Sequence, residues 1–224
     1  MAINIDAYTT IMTATSQKNA VLVAVSKFKS IEDIQSLYDL GQRDFGENFV
    51  QELVLKYEAL PKDIRWHFIG HLQSNKVKYI APFIHLIHGV DSKKLLVEIN
   101  KQAQKNNRLI DCLLQVHIAQ EETKFGFDDA ELNELMISIL NGENAEFSTV
   151  SIRGLMGMAS FSDDKEKVTQ EFKKLSDLYS TYQPQLADFN LLSMGMSGDY
   201  EVALQEGSNM IRVGSLLFGA RTGS

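Results

Sequence analysis

Lys27 ends the run Val21-Leu22-Val23-Ala24-Val25-Ser26-Lys27, six small or apolar residues followed by one amine. A run of this kind fits a strand covered on both faces, as in a parallel sheet. An amine at the end of such a strand is partly desolvated, which lowers its pKa and frees it to form a Schiff base with an aldehyde. The other role open to it is a lysine that snorkels into water. Two segments near the C-terminus carry complementary chemistry. Leu192-Ser193-Met194-Gly195-Met196-Ser197-Gly198-Asp199 sets two hydroxyls and two glycines ahead of a helical pattern, and Ile211-Arg212-Val213-Gly214-Ser215 sets a guanidinium ahead of Gly-Ser. Backbone N–H groups at such turns bind phosphate, and glycine lets the phosphate come close. Ordinary helix capping by Ser197 and Ser215 is the alternative.

An aldehyde-bearing phosphate satisfies both ends, the amine taking the aldehyde and the loops holding the phosphate. Pyridoxal 5′-phosphate (PLP) is a cofactor of that kind. Arg212 could then meet the pyridine nitrogen. A guanidinium stays charged at any relevant pH and keeps that nitrogen unprotonated, which weakens the ring as an electron sink and supports carbanion chemistry poorly.

The elements that must position these groups show a strand-then-helix rhythm. Short apolar runs fall at 21–26, 44–46, 66–69, 84–90, 109–117, 150–156, 189–192 and 210–213. Ser30 with Asp33 caps a helix whose apolar face is Ile31, Ile34, Leu37 and Tyr38, and Asp128 with Glu131 caps another. Val168, Phe172, Leu175 and Tyr179 repeat at helical spacing. Eight such units in 224 residues predict an α/β fold, a single (β/α)8 TIM barrel over residues 1–224. A doubly wound open sheet would carry a glycine-rich turn after the first strand, and none is present. A barrel places function at the C-terminal strand ends. Those ends carry Lys27, Glu47 and Asn48, His67 with Gly70, Asp91, His117, Met156 with Gly157, Ser193–Ser197, and Arg212 with Gly214 and Ser215. For Asp91 and Ser193 helix capping is the expected role.

The bulk composition excludes several classes. A formal net charge of −7 gives no basic footprint for nucleic acid or an anionic membrane. No apolar stretch approaches bilayer length, and the N-terminus does not read as a signal peptide; a cytoplasmic location is expected. Cys112, the single cysteine, sits in an apolar run and reads as a buried structural thiol. No metal site is expected. His67 and His71 are four apart but straddle a strand end, and His85 and His88, three apart in a strand, should point to opposite faces.

The segments Ala24-Val25-Ser26-Lys27, Phe45-Gly46-Glu47-Asn48, His67-Phe68-Ile69-Gly70-His71-Leu72-Gln73-Ser74-Asn75-Lys76, Gly154-Leu155-Met156, Leu192-Ser193-Met194-Gly195-Met196-Ser197 and Arg212-Val213-Gly214 follow one another as in the pyridoxal phosphate homeostasis proteins (the YggS/PROSC group). The resemblance runs from about residue 20 to Arg221. It implies a barrel like the N-terminal domain of alanine racemase, PLP fold-type III without the C-terminal β-domain, with PLP as an internal aldimine on Lys27. By motif match, Asn48 contacts the ring, Arg212 the pyridine nitrogen, and Ser197, Gly214 and Ser215 the phosphate. The implied role is intracellular PLP (vitamin B6) and amino-acid homeostasis by a monomeric carrier or regulator with no well-defined reaction and no catalytic residue. PLP-dependent apoenzymes are the protein partners this role suggests. Lys124 matches a family lysine proposed as a secondary carrier, or is a solvated loop lysine. Phe28 and Ser215 stand where threonine is usual, and His117 where asparagine is frequent; Phe28 is expected to alter packing at the ring edge, and His117 either faces the cofactor or is structural. Two other functions remain open: a weak racemase- or transaminase-type enzyme using His67 or His71 as proton carrier, and a Schiff-base aldolase acting on sugar phosphates.

Overall fold

In a computed structural model, residues 3–119, 125–143 and 145–219 are described. Eight parallel strands, β1 (Val21–Val25), β2 (Asp44–Glu47), β3 (Arg65–Phe68), β4 (Leu86–Val90), β5 (Ile110–Gln115), β6 (Val150–Met156), β7 (Leu191–Ser193) and β8 (Met210–Val213), close in sequence order into a barrel. Closure is made by β8 against β1, with Arg212 opposite Val23. The expected architecture is therefore observed, and each strand falls on its apolar run.

Helices shield the outer face: α1 (Ile5–Gln17), α2 (Ile31–Asp39), α3 (Val50–Ala59), α4 (Val77–Ile80), α5 (Lys93–Lys105), α6 (Asp129–Leu140), α7 (Lys165–Tyr182), α8 (Tyr200–Gln205) and α9 (Ser215–Phe218). The Ser30 side chain accepts from the Asp33 N–H at the start of α2, and Asp128 with Glu131 forms a reciprocal capping box on α6. In α2 only Ile34 and Leu37 of the expected face are buried; Ile31, in the first turn, is exposed and Tyr38 is half-buried. Alternate strand residues point to opposite sides of the wall. Outward residues such as Phe45, Trp66, Ile87, Cys112 and Ile211 join the helices in one large core, while Val23, Leu86, Leu113, Met156 and Met210 form a separate apolar plug inside the barrel. Burial pushes the Cys112 thiol pKa well up, which leaves it inert as a nucleophile.

Two expected caps are corrected. The cap of α5 is Ser92, whose hydroxyl accepts from the Leu95 N–H, and Asp91 instead accepts from His71. Ser193 caps nothing: it ends β7 pointing inward and is wholly buried.

Candidate functional site

β1 stops at Val25, and Lys27 lies in the turn that follows, its side chain half-buried. That turn is held from behind. Phe28 has φ +61°, a left-handed conformation unusual for a bulky residue. Its N–H donates to Glu52 Oε1 at 2.6 Å, and the buried Lys56 ammonium donates to the Ser26 carbonyl at 2.7 Å. The amine is thus carried on a rigid turn rather than a free loop.

The mouth of the barrel at the C-terminal strand ends opens into a cavity of about 760 Å³, and Lys27, Asn48, Ser197, Arg212, Gly214 and Ser215 all line it. Residues up to 188 positions apart in the chain, from Lys27 to Ser215, meet there because β8 lies beside β1. Asn48 follows β2, and its side-chain oxygen is buried with no hydrogen-bond partner. A polar atom in that condition costs free energy unless a ligand supplies a donor.

The two loops after β7 and β8, on the other side of the Lys27 turn from Asn48, are tied together. Gly195, at φ +96°, turns the chain after β7 where a Cβ would stand 2.6 Å from that of Ala203. The Gly214 N–H then donates to Ser197 Oγ at 3.3 Å. Asp199, not Ser197, precedes α8, so Ser197 is no helix cap. Lys29 donates to the carbonyls of Phe218 and Gly219, fixing the end of α9.

Arg212 rises from β8 into the cavity floor and is almost wholly buried. It donates to Ser193 Oγ at 2.5 Å and to the Gly157 carbonyl at 3.0 Å. Burial pushes its pKa down to about 10, with Asp199 opposing the shift, so it is still a cation near neutral pH. With Lys27 and Lys29 it makes the cavity predominantly cationic, suited to an anion.

Lys29, Asp199, Ile69 and Met158 also line the cavity and escaped the sequence reading. Lys29 could have been found from its place two residues past Lys27, on the same turn. Other expectations are placed elsewhere. Phe28 is exposed and packs on Phe49, with ring centroids 5.2 Å apart, and is not among the lining residues. His117 does not line the cavity either; its N–H bonds the Phe127 carbonyl at the end of β5. Lys124 lies outside the described residues. His85 and His88 do not diverge. His85 precedes β4, where alternation does not apply, and both rings stand edge-on to His67, with centroids 5.3 and 5.1 Å away. Asp44, His67 and His85 consequently gather their ligand atoms within 4.8 Å. The Arg65 guanidinium already engages both Asp44 oxygens, at 2.7 and 2.5 Å, so this cluster is a salt-bridged carboxylate with histidines.

A closed barrel with a lysine after β1 and small-residue loops after β7 and β8 belongs to the class of the alanine racemase N-terminal domain, whose family model matches residues 4–222. An alanine racemase from Bartonella henselae, 19% identical, shares the fold with a TM-score of 0.69; the match covers 97% of this chain and 60% of that one. Within the class the chain belongs to the pyridoxal phosphate homeostasis proteins. It is 43% identical to the one from Aquifex aeolicus over 207 residues, which is 90% of this chain and 87% of that relative. PipY of Synechococcus elongatus PCC7942 superposes with a TM-score of 0.84 at 35% identity, covering 93% of this chain and 98% of that one. The same protein, solved with PLP bound, gives a TM-score of 0.81 at 34% identity and the same coverage.

Proposed function

We propose that this chain binds PLP in the barrel-mouth cavity and acts in PLP and amino-acid homeostasis. The carrying observation is the convergence of six residues on one cavity, with the turn that carries the amine beside the tied loops because β1 pairs with β8. The unpartnered, buried Asn48 oxygen, on the β2 side of the Lys27 turn, fits a ligand that brings a polar ring substituent. Lys27 supplies the amine that condenses with the aldehyde, forming one C=N bond and releasing one water. Arg212 presents guanidinium N–H groups to the ring nitrogen and, as a cation, keeps it unprotonated. Ser197, Ser215 and the Gly214 backbone hold the phosphate through hydroxyl and N–H donors. When bound, PLP supplies an electrophilic, electron-withdrawing ring.

The reading is of a carrier or regulator rather than an enzyme. The described titratable residues lining the cavity are Lys27, Lys29, Asp199 and Arg212, and His67 and His71 are not among them. His67 is bonded inside the barrel, and His71 is engaged by Asp91 at 3.0 Å and stacked on Phe125. A cytoplasmic location agrees with the single buried thiol and with the described helices, none long and apolar enough to cross a membrane. PLP-dependent apoenzymes are the partners this reading predicts.

The test is borohydride reduction of PLP-treated protein followed by peptide mass mapping. A pyridoxyl group is expected on the Lys27 peptide, and Lys27→Ala should lose it while keeping its melting temperature. An adduct of full occupancy in Lys27→Ala would sink the anchor. A protein that never takes up PLP would sink the ligand and bring forward the sugar-phosphate aldolase.

A further inference from the structure

The barrel interior holds a line of polar groups that the cavity alone does not require. From the N-terminal mouth upward, His67 Nε2 lies 3.0 Å from Asp44 Oδ1, and His67 Nδ1 lies 2.9 Å from His88 Nε2. His88 Nδ1 lies 3.0 Å from Ser193 Oγ, which Arg212 Nη1 meets at 2.5 Å. These groups come from β2, β3, β4, β7 and β8. His67, His88 and Ser193 are wholly buried, sharing the interior with the apolar plug of Val23, Leu86, Leu113, Met156 and Met210.

The direction of every bond follows from the two ends. Arg212 can only donate, and an ionised Asp44 can only accept. With both imidazoles neutral, His67 must donate to Asp44 from Nε2 and accept at Nδ1. His88 must then donate from Nε2 and accept at Nδ1, and the Ser193 hydroxyl must donate to it while accepting from Arg212. One arrangement satisfies all four contacts. One more proton on the chain, making His67 an imidazolium, turns it round. His67 then donates at both nitrogens, and His88 must carry its hydrogen on Nδ1 and donate to Ser193. The Ser193 oxygen then receives two donors, and its own hydrogen loses its acceptor.

We propose that His67, His88 and Ser193 are positioning residues for Arg212, a chain whose direction is set by one proton near the N-terminal mouth and felt at the floor of the cavity. The inference rests on the PLP reading above, since the proposed task of Arg212 is to face the ring nitrogen. The groups facing His67 are Asp44 from β2, Arg65 from β3, His85 before β4 and His88 on β4. Arg108 lies further out beside His85, and Arg212 and Asp199 stand at the far end. Burial raises the Asp44 pKa, but hydrogen bonds from Arg65 and His67 bring it down to about 2, so it stays an acceptor. Burial, with the neighbouring charges of His67 and Arg212, holds His88 well below the ordinary histidine value. Burial likewise lowers His85 to about 4. Both shifts disfavour placing the extra proton on His88 or His85.

Linkage makes the coupling reciprocal: a ligand that needs Arg212 held by the first arrangement must weaken proton binding at His67. The decisive measurement is a histidine NMR titration of the whole chain between pH 5 and 8, free and with PLP, the His67 resonance assigned by its loss in His67→Gln. Binding should lower that midpoint by ~0.7 pH unit, the equivalent of about fivefold coupling. Inorganic phosphate, which fills the loops without a ring nitrogen, should leave the midpoint in place. A midpoint unmoved by PLP, in protein that carries the Lys27 adduct, overturns the relay and spares the PLP reading. Failure to take up PLP overturns both. Asp44→Asn gives a second reading, because Asp44 lies at the opposite mouth and does not line the cavity. It should weaken PLP binding about fivefold and shift the pH profile of the bound-PLP absorption. A variant with wild-type affinity and profile, altered only in melting temperature, would make the chain structural; if it does not fold, the titration of the wild-type chain decides.

Discussion

Two buried polar networks approach the cavity from opposite sides of the barrel wall. Inside, the chain from Asp44 to Arg212 matches every donor with an acceptor. Outside, between β2 and α3, Glu47 accepts from Ser26 Oγ at 2.6 Å and from Lys56 at 2.8 Å, and Lys56 also meets Glu52 at 2.5 Å. There two carboxylates share one ammonium, and Glu47 Oε2 is buried without a partner. The inner network grips Arg212; the outer one grips Ser26 and Phe28, the residues on either side of Lys27. The matched network is built to transmit direction, and the mismatched one holds a backbone turn with an excess of negative charge. Their responses to mutation and pH should therefore differ in size and in sign.

The largest effect is expected from Lys56→Met. Removing the Lys56 ammonium, the only cation bonded to Glu47 among the described residues, leaves a buried carboxylate uncompensated, which costs about 3–5 kcal/mol. Denaturant unfolding at pH 8 measures this. The Lys56→Met/Glu47→Met double variant should recover most of the loss, because it removes the stranded charge as well. A single-variant cost of about 0.5 kcal/mol, the scale of an exposed pair, would show the outer network to be loosely solvated and erase the contrast.

Next in size is the pH dependence of stability. Burial pushes the Glu47 pKa up to about 7 against the pull of Lys56. A folded-state value above the unfolded one means that the folded chain holds the proton more tightly. This contribution, roughly 3 kcal/mol, is present below pH 4.5 and is lost as pH rises through 7. Asp44 behaves oppositely. Its folded value of about 2 lies below the ordinary 3.8. Its contribution, roughly 2 kcal/mol, is present above that value and is lost as pH falls through 2. Unfolding free energy measured against pH should flatten on the neutral side in Glu47→Gln and on the acid side in Asp44→Asn. If both variants change the same limb, the two networks are one.

Most of the barrel could be read from one dimension, because a strand buried on both faces is apolar along its whole length. The runs around Val21, Trp66 and Val150 mark their strands without knowledge of their neighbours. The cavity was legible for the same reason: strand ends in a barrel share one mouth, so Lys27, Asn48 and Arg212 could be brought together by topology. The interior chain was not legible. Its members are ordinary taken singly, and Ser193 ahead of a glycine loop looks like a cap. His85 and His88 were separated by a strand alternation that begins only at Leu86. What joins His67 to His88, and His88 to Ser193 across 105 positions, is a side-chain meeting on the barrel axis, for which local pattern holds no signal. Lys56 was missed because a lysine in an amphipathic helix normally faces water, and here it is 5% exposed.

The smallest effect separates the cavity from both networks. Gly214 touches neither, yet a Cβ there would stand 3.0 Å from the Val25 carbonyl oxygen and 3.1 Å from the Val25 Cβ. Either β1 or the loop after β8 must give by a few tenths of an ångström, a strain of about 1 kcal/mol. The loop is the softer of the two, since β1 is paired on both edges by β2 and β8. Gly214→Ala should therefore shift the N–H that meets Ser197 and weaken PLP binding about tenfold, the equivalent of 1.4 kcal/mol. The Lys27 adduct should still form at saturating PLP, and the neutral and acid limbs of the stability profile should keep their wild-type slopes. A Gly214→Ala protein with unchanged PLP affinity would mean that β1 yields instead, and with it the turn carrying Lys27. Adduct formation, rather than phosphate retention, would then be the step that suffers.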